Sequence, residues 1–240
     1  YQPVLDRNFK NKAIEHVGMP YGFDQNDHAI VIDPVRAPWD EDKDVKPLIY
    51  AGAFLPNSHY FIHELFKAIK ELKNEGKLDP QIRLYFIGSG QNHNTSIQEY
   101  AVQNGIGDIV FEDRSRYPYL HVLQLLSRAK GVMVIGSTEK HYTASKTYQS
   151  LLSKKPVFAM FHQESSASQV MHETEADSYL VEYNEEHSVT SFHQDIKDRF
   201  SSFQKNEISW TPKLSELEQY SSLESARKLV DKINIIVNES

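Results

Sequence analysis

From Pro47 to Val181 the chain alternates short apolar runs with segments of helical period, and this rhythm limits the fold more than any single motif. The stretch Gly131–Phe161, GVMVIGSTEKHYTASKTYQSLLSKKPVFAMF, is its clearest unit. Two β-branched-rich runs, Val132–Ile135 and Pro156–Met160, bracket a helical pattern over Thr143–Ser153. Runs that short read as strands, and a helix between two of them makes a βαβ unit in a parallel sheet. The signature recurs at Leu48–Ala51, Ile82–Ile87, Ile109–Phe111 and Tyr179–Val181. Between these strands Ser58–Asn74 carries Phe61, Leu65, Ala68, Ile69 and Leu72 on one face, with Ser58 placed as N-cap and Gly76 as the stop. Thr95–Asn104, Tyr119–Ala129 behind Pro118, and Ser165–Glu173 supply the other helices. The pattern predicts an α/β fold: a Rossmann-like, doubly wound parallel sheet of about six strands with helices on both faces.

The flanks read differently. Residues 1–46 form a lead-in with a short helix at Phe9–His16, a turn-rich piece at Gly18–Asp24, a short strand at Ala29–Ile32 and a Pro- and charge-rich linker over Asp33–Lys46. Residues 47–185 are the sheet domain. Past Glu185 the strands stop, and residues 186–240 form a helical segment with helices at Val189–Phe203 and Ser222–Val237. The last helix aligns Leu223, Ala226, Val230, Ile233 and Val237 in an apolar stripe that must cover something. A start at Tyr1 rather than Met reads as a piece of a longer chain.

Composition excludes several classes of function. The 240 residues are 40% hydrophobic and 25% charged, ordinary for a globular protein. A net charge of −7 leaves no basic excess to displace counterions, so nucleic acid is not an expected partner. No run approaches the roughly 20 apolar residues of a membrane span, so no transmembrane segment is expected, and no signal peptide is seen. Cysteine is absent, which excludes disulfides and fits a cytoplasmic home. His59 and His63 share the spacing of one helix face, but no third ligand completes a set, and no metal or cofactor is expected.

In an open α/β sheet, ligands bind beyond the carboxyl ends of the strands. Here those ends are Gly52-Ala53-Phe54, Gly88-Ser89-Gly90, Glu112–Tyr117, Gly136–Ser145 and Phe161–Ser166. Gly88-Ser89-Gly90 lacks the third glycine of a dinucleotide fingerprint and follows the second strand instead of the first. There is no GxSxG elbow and no P-loop. In EDRSRY an arginine and a tyrosine offer a base-stacking edge; a solvated charged loop is the competing reading, favoured for Arg114. At the start of the Thr143–Ser153 helix, Ser137, Thr138, Thr143, Ser145 and Lys146 gather hydroxyls and a cation where free N–H groups attract anions. A phosphate seat and an ordinary capped helix both account for that composition.

The order of these segments resembles the C-terminal, donor-binding domain of GT-B glycosyltransferases, in particular retaining family 4. Pro20-Tyr21-Gly22-Phe23-Asp24 resembles the family's opening linker, Tyr50-Ala51-Gly52 its first strand end, Gly88-Ser89-Gly90 its second and Phe111-Glu112-Asp113 its third. Ser127-Arg128-Ala129-Lys130 resembles its Ser-x-Ala-Asp helix end. The most specific piece is Ser145–Val157, similar to Ser-x-Lys-x-x-Glu-Tyr-Leu-Ala-x-Gly-x-Pro-Val, although Ser145 here abuts Lys146. The resemblance spans roughly residues 18–185.

It implies a nucleotide-diphospho-sugar substrate, transfer with retention to an unknown acceptor, and a missing N-terminal acceptor domain. It also implies that Gly52, Thr143, Ser145 and Lys146 hold the donor phosphates and Gln149 the ribose. Gly88, Arg116 and Tyr117 would border the base, with His141 facing the sugar. The chain departs from the pattern in three places. Gln149 stands where the family carries Glu, His141 where an earlier Glu falls, and Ala53 and Ser58 where a cationic clamp is usual. A non-catalytic sugar-nucleotide-binding or scaffolding module on the same fold is the alternative, and an epimerase or phosphorylase of the same architecture a second.

Overall fold

The computed structural model describes residues 7–8, 18–19, 22–90, 95–137, 145–186 and 189–238. Six strands form one wholly parallel sheet: β1 (Lys46–Ala51), β2 (Ile82–Ile87), β3 (Val110–Asp113), β4 (Gly131–Ile135), β5 (Val157–His162) and β6 (Leu180–Tyr183). Their order is β3-β2-β1-β4-β5-β6. Chain direction across the sheet therefore reverses between β1 and β4. The sheet is buried on both faces, as its continuous apolar strands require.

Alternate strand residues separate the two faces. Leu48, Tyr50, Leu84, Phe86, Met133, Ile135, Phe158 and Met160 belong to one core with α1 (His59–Asn74), α2 (Ile97–Gln103) and α6 (Val189–Lys205). On the opposite face lie α3 (Tyr119–Arg128), α4 (Lys146–Leu152) and α5 (Ser166–Glu173), which bury Leu125, Leu151 and Val170. The expected doubly wound sheet is thus present.

Helix ends follow local chemistry in most cases. Gly76, at φ +68°, closes α1: Lys77 N–H donates to Leu72 O at 2.8 Å and Gly76 N–H to Lys73 O at 3.2 Å. Ser96 and Glu99 form a reciprocal capping box on α2. Ser58 departs from expectation. Its hydroxyl caps nothing and donates to Gly136 O at 2.6 Å, after a 3₁₀ turn at Pro56–Ser58. The short strand expected at Ala29–Ile32 is also absent: Gln25–Ala29 close into a 3₁₀ helix and Val31 is exposed. The helix expected over 9–16 lies outside the described residues.

Residues 25–217 form one compact unit, and 1–24 with 218–240 another. In the first, Lys197 clamps α6 to α1, its Nζ 2.8 Å from Glu71 and 2.5 Å from Glu75, and the His193 ring lies within hydrogen-bond distance of Glu64 at 3.0 Å and Glu71 at 3.1 Å. In the second, α7 (Ser222–Asn238) begins where Ser222 N–H donates to Phe23 O at 2.9 Å. None of its residues is buried; Leu223, Val230, Ile233 and Val237 of its stripe are exposed. Among the described residues no helix is long and apolar enough to cross a membrane.

Candidate functional site

Strand order reverses between β1 and β4, and the carboxyl ends of the strands at such a reversal are the usual ligand position in these sheets. The exit of β1 continues the ladder: Gly52 N–H donates to Ile87 O at 2.8 Å and Phe54 N–H to Ser89 O at 2.9 Å. Gly52 sits at φ +115°, outside the space of ordinary L residues. A Cβ there would lie 2.8 Å from Lys146 Cε. So the lysine that follows β4 crosses onto the end of β1.

Lys146 opens α4, three residues later in the chain than the Thr143 start expected from sequence. Its ammonium donates to Tyr50 Oη at 2.7 Å and to Ala53 O at 2.8 Å, and lies 4.4 Å from the Tyr50 ring centroid. Tyr50 Oη in turn donates to Ala53 O at 2.8 Å. All these partners are neutral. Among the described residues no carboxylate pairs with Lys146, and desolvation pulls its ammonium down to about 7. The residue as a whole keeps part of its surface exposed.

Of the other expected phosphate ligands, Ser145 is exposed and caps no N–H. Thr143 and His141 lie outside the described residues. Gly88, at φ +69°, faces Gly52, with a notional Cβ 3.7 Å from Gly52 Cα. Gln149, one turn beyond Lys146, is tied on both ends of its amide. Nε2 donates to Tyr119 Oη at 2.6 Å, and Oε1 lies 2.7 Å from His28 Nε2. Tyr119 Oη continues to Asp27 Oδ2 at 2.9 Å, and burial pushes the His28 imidazole down. Tyr117 donates to Asp113 Oδ2 at 2.7 Å; burial and that carboxylate push its phenol up to about 12. It lines a cleft of about 280 Å³ with Phe111 and Arg36, and Arg116 is exposed beside it.

No protein-family model matches the chain. No curated protein matches it either. Solved structures do. A glycosyltransferase from Rickettsia africae aligns over 100% of this chain and 62% of its own, at 14% identity and a TM-score of 0.63. The pneumococcal O-GlcNAc transferase GtfA, solved with UDP and GlcNAc, aligns over 82% of this chain and 37% of its own, at 15% identity and 0.59. WaaG, a glycosyltransferase involved in lipopolysaccharide biosynthesis, aligns over 96% and 56%, at 12% and 0.58. The fold is that of GT-B glycosyltransferases. The chain spans between 37% and 62% of the lengths of these three structures.

Several residues around these strand ends carry no local signal. Tyr50 reads as a strand residue, yet its hydroxyl receives Lys146. Glu112 accepts from Ser89 Oγ at 2.5 Å and from Gln98 N–H at 3.0 Å, joining the exit of β2 to the start of α2. Arg114 does not sit idle in solvent: its Nε donates to Gly90 O at 2.7 Å. Thr147, one position beyond Lys146, keeps a buried hydroxyl with no partner among the described residues. His59 and His63 pack against Tyr100 at 5.4 and 6.3 Å, and no group of three metal-ligating side chains occurs among the described residues.

What the arrangement offers is a partly neutralised lysine at a sheet switch point, beside two glycine exits. An anion brought there would favour the charged ammonium.

Proposed function

We propose that the chain is the donor-binding half of a glycosyltransferase, holding a nucleotide-diphospho-sugar across the carboxyl ends of β1, β2 and β4. The observation that carries this reading is Lys146: a desolvated ammonium with only neutral partners, set over Gly52 at the switch point. The neighbours support it, since GtfA was solved with UDP and GlcNAc and Anabaena HepE with UDP and glucose.

In this scheme Lys146, Ser145 and Thr143 hold the diphosphate, while Gly52 and Gly88 let backbone approach it. Arg116 and Tyr117 border the base, and His141 faces the sugar. Gln149 meets the ribose by exchanging its Tyr119 or His28 partner. Transfer proceeds with retention. The residues position the donor and stabilise charge on the leaving diphosphate, and the scheme assigns no metal or cofactor. The acceptor is held by an N-terminal domain joined through the lead-in of residues 1–46.

Calorimetry with UDP and UDP-sugars tests this. Lys146→Ala should cost at least roughly tenfold in affinity, since charge-assisted hydrogen bonds contribute about 1.5–3 kcal/mol. Equal affinities would refute the phosphate assignment. Gln149→Glu should retain or strengthen binding, because a carboxylate accepts from both ribose hydroxyls. A second reading, a sugar-nucleotide-binding module without turnover, is favoured by Ala53 and Ser58 at the clamp positions. There Ser58 is committed to Gly136 O. Turnover by the full-length protein decides between the two.

A further inference from the structure

Beyond the ends of β5 and β6, between the first turns of α1 and α6, lies a second cleft of about 180 Å³. That is enough for a small ring. Phe61, Phe192, Tyr60 and Tyr183 wall it, and His162 and Glu185 stand at its polar side. Lys146 is not among its lining residues.

His162 marks the cleft as unfinished. Its side chain is only 4% exposed. Nδ1 accepts the Glu164 backbone N–H at 3.1 Å, which places the ring proton on Nε2. Nε2 is buried and has no hydrogen-bond partner among the described residues. The Glu185 carboxylate lies 3.6 Å away, beyond hydrogen-bond reach, and is 60% exposed. A buried donor without an acceptor is unfavourable and rare, so an arriving oxygen atom would complete it.

We propose that this cleft binds a single saturated, polyhydroxylated ring, that is, one sugar unit. One hydroxyl oxygen accepts from His162 Nε2–H, and another hydroxyl donates to Glu185. The apolar ring face rests on the aromatic wall, where C–H bonds meet the negative face of a π system. Shape favours a puckered ring over a flat base. The rings meet nearly at right angles: Phe61 and Phe192 at 82°, Tyr183 and Phe192 at 73°, His162 and Tyr183 at 89°. They make a cup. The parallel pair, Tyr60 and Phe192 at 15°, has its centroids 6.0 Å apart, a distance at which the two rings already touch each other and admit nothing between. Tyr183 also donates its hydroxyl to Ser137 O at the exit of β4, so the cleft flanks the proposed donor site.

The inference does not depend on the nucleotide reading, and NMR separates the two. Methyl glycosides of glucose, galactose and N-acetylglucosamine, then the matching UDP-sugars, are titrated into the ¹⁵N-labelled chain, with UDP and uridine as controls. The His162 Nε2–H and the Tyr60 and Phe192 signals are followed. A shift with free glycosides identifies the unit as acceptor-like; a shift with UDP-sugars alone, absent with UDP, identifies it as the donor's sugar. Glycoside binding should survive Lys146→Ala. It should fall roughly tenfold in His162→Leu, the loss of about one hydrogen bond, and be retained in His162→Gln, whose amide replaces the donor. The wild-type titration stands even where a variant unfolds. No shift with any sugar, an equal shift with uridine, or a folded His162→Leu that binds like wild type would overturn the proposal.

Discussion

The side chain that Gly52 lacks would occupy the place of Lys146: a Cβ there would approach Lys146 Cε to 2.8 Å. The exit of β1 and the first residue of α4 are fitted to one another, although 94 positions separate them in sequence. Gly52→Ala therefore faces two obstacles, a φ of +115° and an occupied space. We expect a loss of about 1–3 kcal/mol, the usual cost of a non-glycine residue in such a region. Urea unfolding measures it. UDP binding should fall in the same variant because Lys146 must move. A variant that unfolds at the wild-type midpoint would show that the contact yields freely.

The Lys146 ammonium, held near 7 by desolvation, links proton and ligand. Between about 7 and the ordinary lysine value the unfolded chain binds the extra proton, so this group makes stability rise with pH across that window. Lys146→Met should flatten the rise and raise the melting temperature at pH 7. A bound diphosphate pulls the other way and returns the proton to the amine. Binding of a UDP-sugar should then take up a proton near neutrality, and affinity should fall as pH climbs above about 7. Calorimetry in two buffers of different ionisation enthalpy reads the uptake. Identical heats in both would remove Lys146 from the binding event.

Acid should loosen the clamp between α1 and α6. Hydrogen bonds from Lys197, then Lys77, hold Glu75 down to about 2, and Lys197 lowers Glu71 as well. Depressed carboxylates stabilise the fold above the ordinary carboxylate range, and that contribution is lost as pH falls through their folded values. Between pH ~4.3, where a free Glu titrates, and the depressed values, Lys197→Met should lose less stability than wild type. Melting temperatures across that interval are the measurement. Parallel curves for the two proteins would show that the ions contribute nothing here, as many exposed pairs do.

Sequence reveals most where the determinant is local. The apolar spacing of Phe61, Leu65, Ile69 and Leu72 and the glycine at 76 mark α1 almost to the residue. The strand–helix alternation likewise fixes the sheet, because parallel neighbours require crossovers. Local reading failed at Ser58, whose hydroxyl goes to Gly136 O, 78 positions away. It failed at 29–32 because three β-branched residues in a row suit a strand, whereas the chain closes into a 3₁₀ helix at Gln25–Ala29 and among the described residues pairs no strand there. At the site, Lys146 was visible as a cation after a hydroxyl-rich loop. Its actual partners, Tyr50 and Ala53, became visible only when β1 and β4 lay side by side.

Alone, this chain is expected to bind a sugar nucleotide and not to transfer the sugar. The sheet of residues 25–217 has its own core on both faces, so folding needs no help from elsewhere. Transfer has a further requirement, an acceptor held close to the donor carbon in a space from which water is excluded. In α7 the residues Val230, Ile233 and Val237 are exposed. The assay incubates the purified chain with a panel of sugar nucleotides and candidate acceptors. Calorimetry on the same preparation shows whether donor binding is intact. Binding without turnover is the expected pair of results. Sugar transfer by this chain at rates typical of enzymes, about 1 s⁻¹ or faster, would show that it is already a complete enzyme.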